Sequence, residues 1–197
     1  RMEESVDADC YARVYEAERP EVFMKAAGWR VRGPEQTIGV RDDSGWDVPE
    51  PELGLVLAAS GELAGYVVGN DVSSRTIEGA NPLYLPQAKI YDGSCAVGPA
   101  IVPVGAIAPP FAIRMRILRD GVVAYADETT TANLKRGFDE LAGCLMRCLA
   151  FPVGALLLTG TCLVPPETFS LAPGDVTEVE IPGLGLLRNP VERVGRG

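Results

Sequence analysis

Short apolar runs, bounded by glycine, proline and charged residues, favour strands over helices in most of this sequence. Residues 52–58 and 62–69 are two such runs, and "ASGE" between them supplies a glycine for a hairpin turn. Residues 111–118, "FAIRMRIL", alternate between apolar and charged side chains, which is typical of a strand with one buried face. "RDG" at 119–121 then predicts a turn into "VVAYA".

One long helical pattern interrupts the strands. Leucine and phenylalanine recur at helical spacing over residues 133–149, with Thr131 or Asn133 as the expected N-cap. Further strands are predicted at 95–104, in "VGALLLTGT" and around the glycine turns of "LAPGDVTEVEIPGLGLLRNPV", whereas residues 70–93 show few regular periods. The sequence therefore predicts a mostly β (α+β) domain with one or two covering helices.

The side-chain inventory excludes several classes of function. Histidine is absent, so the commonest general base and the Ser-His and Cys-His nucleophile pairs are missing. The formal charge is -9, from 27 acidic and 18 basic residues, and a nucleic-acid partner is not expected. The five cysteines have no CxxC spacing and are expected to be reduced, buried thiols rather than disulfides or zinc ligands.

The length of 197 residues suits one catalytic, metal-binding domain, expected at 19–197. Residues 1–18 are expected to be a linker or the end of a missing N-terminal domain, because the chain opens on Arg1 rather than methionine. No apolar run approaches the roughly 20 residues of a membrane span, and no signal peptide is recognisable. A cytoplasmic protein that does not bind membranes is predicted.

Two glutamates flank Pro51 at the start of an apolar run. Side chains alternate along a strand, so Glu50 and Glu52 share one face. Solvated glutamates at a strand end would need no partner, but buried ones would repel each other and require a cation. Asp71, at the end of the next apolar run, adds a third carboxylate. Such an oxygen-only set suits Mg²⁺, with Mn²⁺ or Ca²⁺ possible and zinc disfavoured.

A longer motif carries a resemblance to a known family. The run "GNDVSSRTIEGANPLYLPQAKIYDGSCAVGPAIVP", together with "PEPEL" and "LLLTGT", resembles the fumarylacetoacetate hydrolase family. The "SSRTIEGANPLYLPQAKIYDG" text and the 19-residue step from Glu52 to Asp71 most resemble its 2-keto-3-deoxy-D-arabinonate dehydratase branch. The similarity extends from "RPEVFMKA" to "GLGLLRNPV". It implies the mixed β-roll or sandwich of the family's C-terminal domain.

The resemblance also implies roles for individual residues. Glu50, Glu52 and Asp71 would be the metal ligands. Lys89, in "LPQAKIYD", would match the active-site lysine, and Glu21, in "RPEVF", the glutamate that works with a water molecule.

Other residues are expected to shape the substrate pocket. By resemblance, Thr161 in "LTGT" would contact the carboxylate end of the substrate. Gly160 would permit close backbone approach to that carboxylate. Arg75 is a further candidate for substrate binding, expected mainly within an ion-pair network with Glu78.

The expected reaction is the dehydration of a 2-keto-3-deoxy sugar acid, 2-dehydro-3-deoxy-D-arabinonate, to 2,5-dioxopentanoate. A 2-keto acid can chelate Mg²⁺, which would stabilise the enolate formed when a C3 proton leaves. Glu21 is the expected acid/base residue. Lys89 would either transfer protons or stay charged and hold the substrate carboxylate, and a Schiff base is less favoured because the metal already supplies the electron sink.

Two other functions remain open from the sequence. The same metal site could serve a hydrolase or decarboxylase of a diketo or oxalo acid, although family hydrolases activate water with a His-Glu pair that this chain lacks. A non-catalytic subunit that only binds a metal is the other alternative. Analogy with the family favours a homo-oligomer, and the sequence leaves the C4 configuration of the substrate open.

Overall fold

Eleven β-strands form the body of the protein within residues 16–195, the part described by a computed structural model. They are β1 (Ile38–Arg41), β2 (Asp47–Val48), β3 (Pro51–Leu57), β4 (Leu63–Asp71), β5 (Ser73–Ser74), β6 (Cys95–Pro103), β7 (Ala112–Arg119), β8 (Val122–Thr130), β9 (Ala155–Leu158), β10 (Val176–Ile181) and β11 (Gly185–Val194). A five-stranded sheet has the order β1-β11-β10-β7-β8, a four-stranded sheet has the order β6-β4-β3-β9, and β2 pairs with β5. β1 runs parallel to β11, and the other pairs are antiparallel.

The core lies between the two larger sheets. Leu53 and Leu55 of β3 are fully buried, and they belong to one apolar cluster with Met115 of β7 and with Val179 and Ile181 of β10. The alternation predicted for residues 111–118 is confirmed, since Ile113, Met115 and Ile117 are buried while the arginines between them are exposed. The mostly β fold expected from the sequence is therefore confirmed.

Three α-helices lie outside the sheets in the described part of the chain: α1 (Arg75–Ala80), α2 (Leu85–Lys89) and α3 (Phe138–Met146). Short 3-10 helices are present at Gly28–Arg30, Pro82–Tyr84 and Thr131–Asn133. α3 is a covering helix, because its apolar side chains pack against the core cluster. Residues 70–93, which show little periodicity, contain β5, α1 and α2.

The predicted helix at 133–149 starts too early. Thr131–Asn133 form a separate 3-10 turn that is capped by the Thr130 side chain, and Leu134 is extended. α3 then begins after Gly137, so Thr131 and Asn133 are not its N-cap. Leucine spacing predicted the helix correctly, but it could not show where the backbone leaves the extended conformation.

The prediction that residues 1–18 are a linker or the end of another domain falls mostly outside the described residues and stays a prediction. Among the helices of residues 16–195, none combines the length and the apolar composition that crossing a membrane requires.

Candidate metal and substrate site

Three carboxylates converge where β3 begins and β4 ends. Antiparallel pairing sets Glu52 opposite Gly69, and the Asp71 N–H donates a hydrogen bond to the Glu50 carbonyl at 2.9 Å. One carboxylate oxygen from each of Glu50, Glu52 and Asp71 lies within 4.8 Å of the others, and all three residues are buried. The hairpin thus brings the three predicted ligands together, and their role as ligands stays a prediction.

Lys89, at the end of α2, is buried beside these acids. Its ammonium donates to Glu50 Oε2 at 2.6 Å and to Ser73 Oγ at 2.6 Å, and it lies 3.4 Å from Asp71 Oδ2. Burial opposes the charged form, but the neighbouring Glu50 and Asp71 carboxylates outweigh it and raise the pKa of Lys89. Lys89 therefore carries a positive charge in this arrangement.

Arg75 forms the ion-pair network predicted for it. Its guanidinium donates to Glu50 Oε1 at 2.7 Å and to Glu78 Oε2 at 2.8 Å. Glu78 is buried on α1, the helix that also carries Arg75, so the contact between Arg75 and Glu50 links this helix to the start of β3. These contacts confirm the network, whereas a contact between Arg75 and substrate stays a prediction.

Glu50 and Glu52 differ in their proton affinity. Burial raises the pKa of Glu50, but Lys89 and Arg75 outweigh it and lower that pKa below its ordinary value. Burial, followed by the charges of Asp71 and Glu50, raises the pKa of Glu52 well above its ordinary value. The pair on one strand face therefore combines an ionised carboxylate with one that retains its proton to a higher pH.

The turn after β9 reaches the site from the opposite side. Pairing of β9 with β3 continues through Thr159, whose N–H donates to the Leu53 carbonyl at 3.0 Å. The next N–H, of Gly160, donates to Glu52 Oε2 at 2.6 Å. The Thr161 hydroxyl takes part in a local turn, where it accepts from the Leu163 N–H at 3.0 Å. Gly160 thus holds a candidate ligand, and the substrate contacts expected of Gly160 and Thr161 stay predictions.

Glu21 is an exposed residue whose carboxyl is affected by the charges of the site. Partial burial, and next the nearby charge of Glu78, raise the pKa of the Glu21 carboxyl, while Lys89 acts in the opposite direction. The charges of Glu50 and Asp71 raise it further. The charges of the site therefore act on the Glu21 carboxyl, and its acid/base role stays a prediction.

Sequence reasoning missed two residues that hold the site together. The fully buried Asn70 accepts a hydrogen bond from the Glu50 N–H through Oδ1 at 3.1 Å, which fixes the backbone of a candidate ligand. Lys25 lies 2.5 Å from Asp71 Oδ1. Lys25 occurs in the same "RPEVFMKA" run as Glu21, and this position was the one available signal.

The donor set fits a small, hard cation. All its ligand atoms are carboxylate oxygens, which suit Mg²⁺, Mn²⁺ and Ca²⁺. Asp71 Oδ1 is buried, and the Lys25 ammonium is its ion-pair partner at 2.5 Å. A carboxylate oxygen has two lone-pair sites, so Asp71 Oδ1 can contact Lys25 and still bind a metal, which Glu50, Glu52 and Asp71 together could hold.

The fold and this site define the class of protein. The chain belongs to the family described as fumarylacetoacetate (FAA) hydrolase C-terminal, whose sequence model matches residues 7–192. The resemblance predicted from the sequence motifs is thereby confirmed.

Particular relatives are dehydratases of sugar acids. The chain is 52% identical, over 98% of its length and 68% of the relative, to a probable 2-keto-3-deoxyxylonate dehydratase of Haloferax volcanii. It is 42% identical to the 2-dehydro-3-deoxy-D-arabinonate dehydratase of Saccharolobus solfataricus, over 93% of this chain and 62% of the relative. The chain thus spans about two thirds of the length of these relatives.

A solved structure of a 2-keto-3-deoxy-D-arabinonate dehydratase, complexed with magnesium and 2,5-dioxopentanoate, has the same fold. Its TM-score is 0.92 at 41% identity, and the match covers 94% of this chain and 67% of that one.

Proposed function

We propose that this protein is a Mg²⁺-dependent dehydratase that converts 2-keto-3-deoxy-D-arabinonate into 2,5-dioxopentanoate. The observation that carries the proposal is the buried cluster of Glu50, Glu52 and Asp71 beside the charged Lys89. The absence of histidine disfavours the family's hydrolytic chemistry. The names of the two curated relatives and the product bound in the solved relative support the same reaction.

The two relatives' names describe one substrate. In a 2-keto-3-deoxy pentonate, C2 is a ketone and C3 a methylene, so only C4 retains the configuration of the parent sugar acid. D-Arabinonate and D-xylonate share that configuration and give the same compound. The proposed substrate therefore agrees with both names.

The side chains suit removal of a C3 proton followed by loss of the C4 hydroxyl. A bound magnesium ion would withdraw charge from the carboxylate and ketone oxygens of the substrate and make the C3 proton more acidic. Glu21 accepts that proton, and its raised pKa favours the transfer. The Lys89 ammonium binds the substrate carboxylate or donates a proton to the departing hydroxyl, both of which require its charged form.

These steps balance without a redox cofactor. The C3–H bond and the C4–O bond break, the hydroxyl leaves as water, and proton shifts along C3 to C5 produce the C5 aldehyde. The difference between substrate and product is one water molecule.

Incubation of the protein with MgCl₂ and 2-keto-3-deoxy-D-arabinonate tests the proposal, with 2,5-dioxopentanoate as the measured product. The wild type is expected to form it, and Glu21→Gln is expected to lose about 10²- to 10⁴-fold in kcat. Oxaloacetate and an acylpyruvate serve as comparison substrates. Turnover of either one, with the sugar acid inert, would instead identify a decarboxylase or hydrolase.

We also infer a cytoplasmic homo-oligomer. Cys95, Cys144, Cys148 and Cys162 are free thiols, as is usual for cytoplasmic proteins. Exposed apolar side chains such as Ile101 on β6 are of the kind that subunit contacts cover. Light scattering on the purified protein tests the oligomeric state, and a monomer would contradict it.

A further inference from the structure

Lys25 is held by oxygens from three parts of the site. It lies in an irregular segment between Glu21 and the 3-10 helix at Gly28–Arg30, yet its side chain is only 11% exposed. Its ammonium donates to the Val72 carbonyl at 2.8 Å and to the Lys89 carbonyl. It also lies 2.5 Å from Asp71 Oδ1 and 5.9 Å from the centre of the Tyr91 ring.

The partners of Lys25 differ in kind from those of Lys89. Lys89 contacts the side chains of Glu50, Asp71 and Ser73, which can reorient when a ligand enters. Two partners of Lys25 are backbone carbonyls of residues that are themselves buried, so a substrate cannot replace them without local unfolding. The Lys25 ammonium is thus bound by protein groups that a substrate does not displace, and its position is fixed.

We propose that Lys25 is a positioning residue for the metal site, an inference that rests on the proposed function. By holding Asp71 Oδ1 it sets the orientation of one metal ligand, and through the Lys89 carbonyl it fixes the end of α2 that carries the second lysine. It also anchors the segment of Glu21, which lies four residues earlier and therefore within about 14 Å along the chain. One ammonium thus fixes a ligand, the Lys89 backbone and the Glu21 segment relative to one another.

A role as a positioning residue and a role as a mere counter-charge predict opposite changes in metal affinity. If Lys25 only neutralised the acids, its removal would leave the carboxylates more negative, and Mg²⁺ would bind more tightly. If Lys25 positions Asp71, its removal lets that carboxylate move, and Mg²⁺ binds more weakly. The sign of the change therefore separates the two roles, and no substrate is needed to measure it.

Calorimetric titration of MgCl₂ into the metal-free protein provides the test. Lys25→Met keeps the length and apolar stem of the side chain and removes the charge. We expect its Mg²⁺ dissociation constant to rise about 10- to 100-fold, the usual effect of losing a group that orients a ligand. Lys135→Met is the matched control, because Lys135 pairs with Glu16 and is more exposed, and its Mg²⁺ affinity is expected to equal that of the wild type.

Lys25→Arg keeps the charge but replaces the compact ammonium by a planar guanidinium. Lys25→Arg is expected to bind Mg²⁺ more weakly than the wild type and more tightly than Lys25→Met. If Lys25 acted only as a counter-charge, the Mg²⁺ affinity of Lys25→Arg would equal that of the wild type. Equal or tighter binding by Lys25→Met would overturn the proposal. If circular dichroism shows that Lys25→Met is unfolded, Lys25→Arg decides, and an affinity equal to the wild type overturns it.

Hydrogen exchange adds a readout at the anchored segment. Amides of residues 19–27 are expected to exchange faster in Lys25→Met than in Lys135→Met, and equal rates would overturn the anchoring of Glu21. A wild-type protein that fails to dehydrate the sugar acid would remove the proposed function, while the Mg²⁺ affinities would still decide the role of Lys25.

Discussion

At the residue scale, Glu52 is the acid whose charge depends most on a bound metal. Burial and the charges of Asp71 and Glu50 raise its pKa above the ordinary value of 4.5, so the metal-free protein retains this proton at pH values above 4.5. Mg²⁺ requires the ionised carboxylate, and its binding must therefore release the proton. We expect Mg²⁺ affinity to increase with pH up to the raised pKa of Glu52 in the metal-free protein, and to become constant above it.

Calorimetry in two buffers of different ionisation enthalpy measures the released proton directly. Glu52→Gln is the control, since it has no proton to release at this position. Proton uptake on Mg²⁺ binding, or an affinity independent of pH above 4.5, would show that Glu52 is already ionised.

Lys89 should affect turnover and metal binding differently. Lys89→Met removes a cation that contacts Glu50 and Asp71 and therefore competes with Mg²⁺ for their oxygens. We expect kcat to fall about 10²- to 10⁴-fold, while Mg²⁺ binds as tightly as in the wild type or more tightly. Steady-state kinetics and Mg²⁺ titration on the same preparation test this, with Lys135→Met as control. Parallel losses of activity and affinity would assign Lys89 a role in holding the metal.

Sequence motifs located the candidate ligands but not their individual states. Glu50 and Glu52 look equivalent in the sequence, but Lys89 and Arg75 lower the pKa of Glu50 while Asp71 and Glu50 raise that of Glu52. Lys25 was missed for a related reason. Two of its partners are backbone carbonyls, and no side-chain pattern marks a carbonyl as an acceptor.

At the element scale, the turn after α2 depends on a glycine that touches another strand. Gly93 has φ of 76°, and a Cβ there would lie 2.5 Å from the backbone nitrogen of Gly39 in β1. Gly39 N–H also donates to the Gly93 carbonyl at 3.0 Å, so neither strand nor turn can move freely. This contact holds the chain just beyond Lys89 against the five-stranded sheet.

Gly93→Ala is therefore expected to destabilise the protein by more than the cost of a positive φ alone. Gly121 has φ of 77° with open space around it, and Gly121→Ala isolates that cost, about 1 to 2 kcal/mol. We expect the free energy of unfolding of Gly93→Ala to be lower than that of Gly121→Ala in urea titrations. Equal values would mean that β1 shifts to accommodate the methyl group.

Strand patterns were easier to predict than helix starts. The hairpin of β3 and β4 follows from alternation and a glycine turn, both of which are local. The early start predicted for α3 arose because Leu134 fits the helical spacing although its backbone is extended. Spacing reports which side chains share a face, and it does not report the backbone angles at a terminus.

At the scale of the whole molecule, the sheet order was beyond prediction from local patterns. β1 pairs in parallel with β11, and Ile38 lies opposite Val191, a partner near the other end of the chain. Such pairings are selected by the packing of the two sheets and carry no local signature. The strand patterns predicted the mostly β class, the family resemblance predicted the type of β-roll or sandwich, and the structure supplied the order of the strands.

Because of the same packing, metal binding affects the stability of the whole fold. The three acids lie on a hairpin whose opposite face fills the core, so Mg²⁺ bound there stabilises the folded state only. At a concentration 100 times the dissociation constant, the stabilisation is about 2.7 kcal/mol, or roughly 5 to 10 °C in Tm for a chain of this size. Differential scanning calorimetry with MgCl₂, against KCl at equal ionic strength, measures the shift.

Mg²⁺ should reverse the order in which the wild type and Glu52→Gln unfold on heating. Glu52→Gln should have the higher Tm without Mg²⁺, and the wild type should have the higher Tm with it. Without Mg²⁺, at a pH above the raised pKa of Glu52, the substitution removes repulsion among ionised buried acids while the amide oxygen still accepts from the Gly160 N–H, so its Tm should exceed that of the wild type. With Mg²⁺, the wild type gains the larger shift because it retains all three carboxylates. Equal shifts in both proteins would mean that the ion binds elsewhere, since a site that needs Glu52 cannot stabilise a chain that lacks its charge to the same extent.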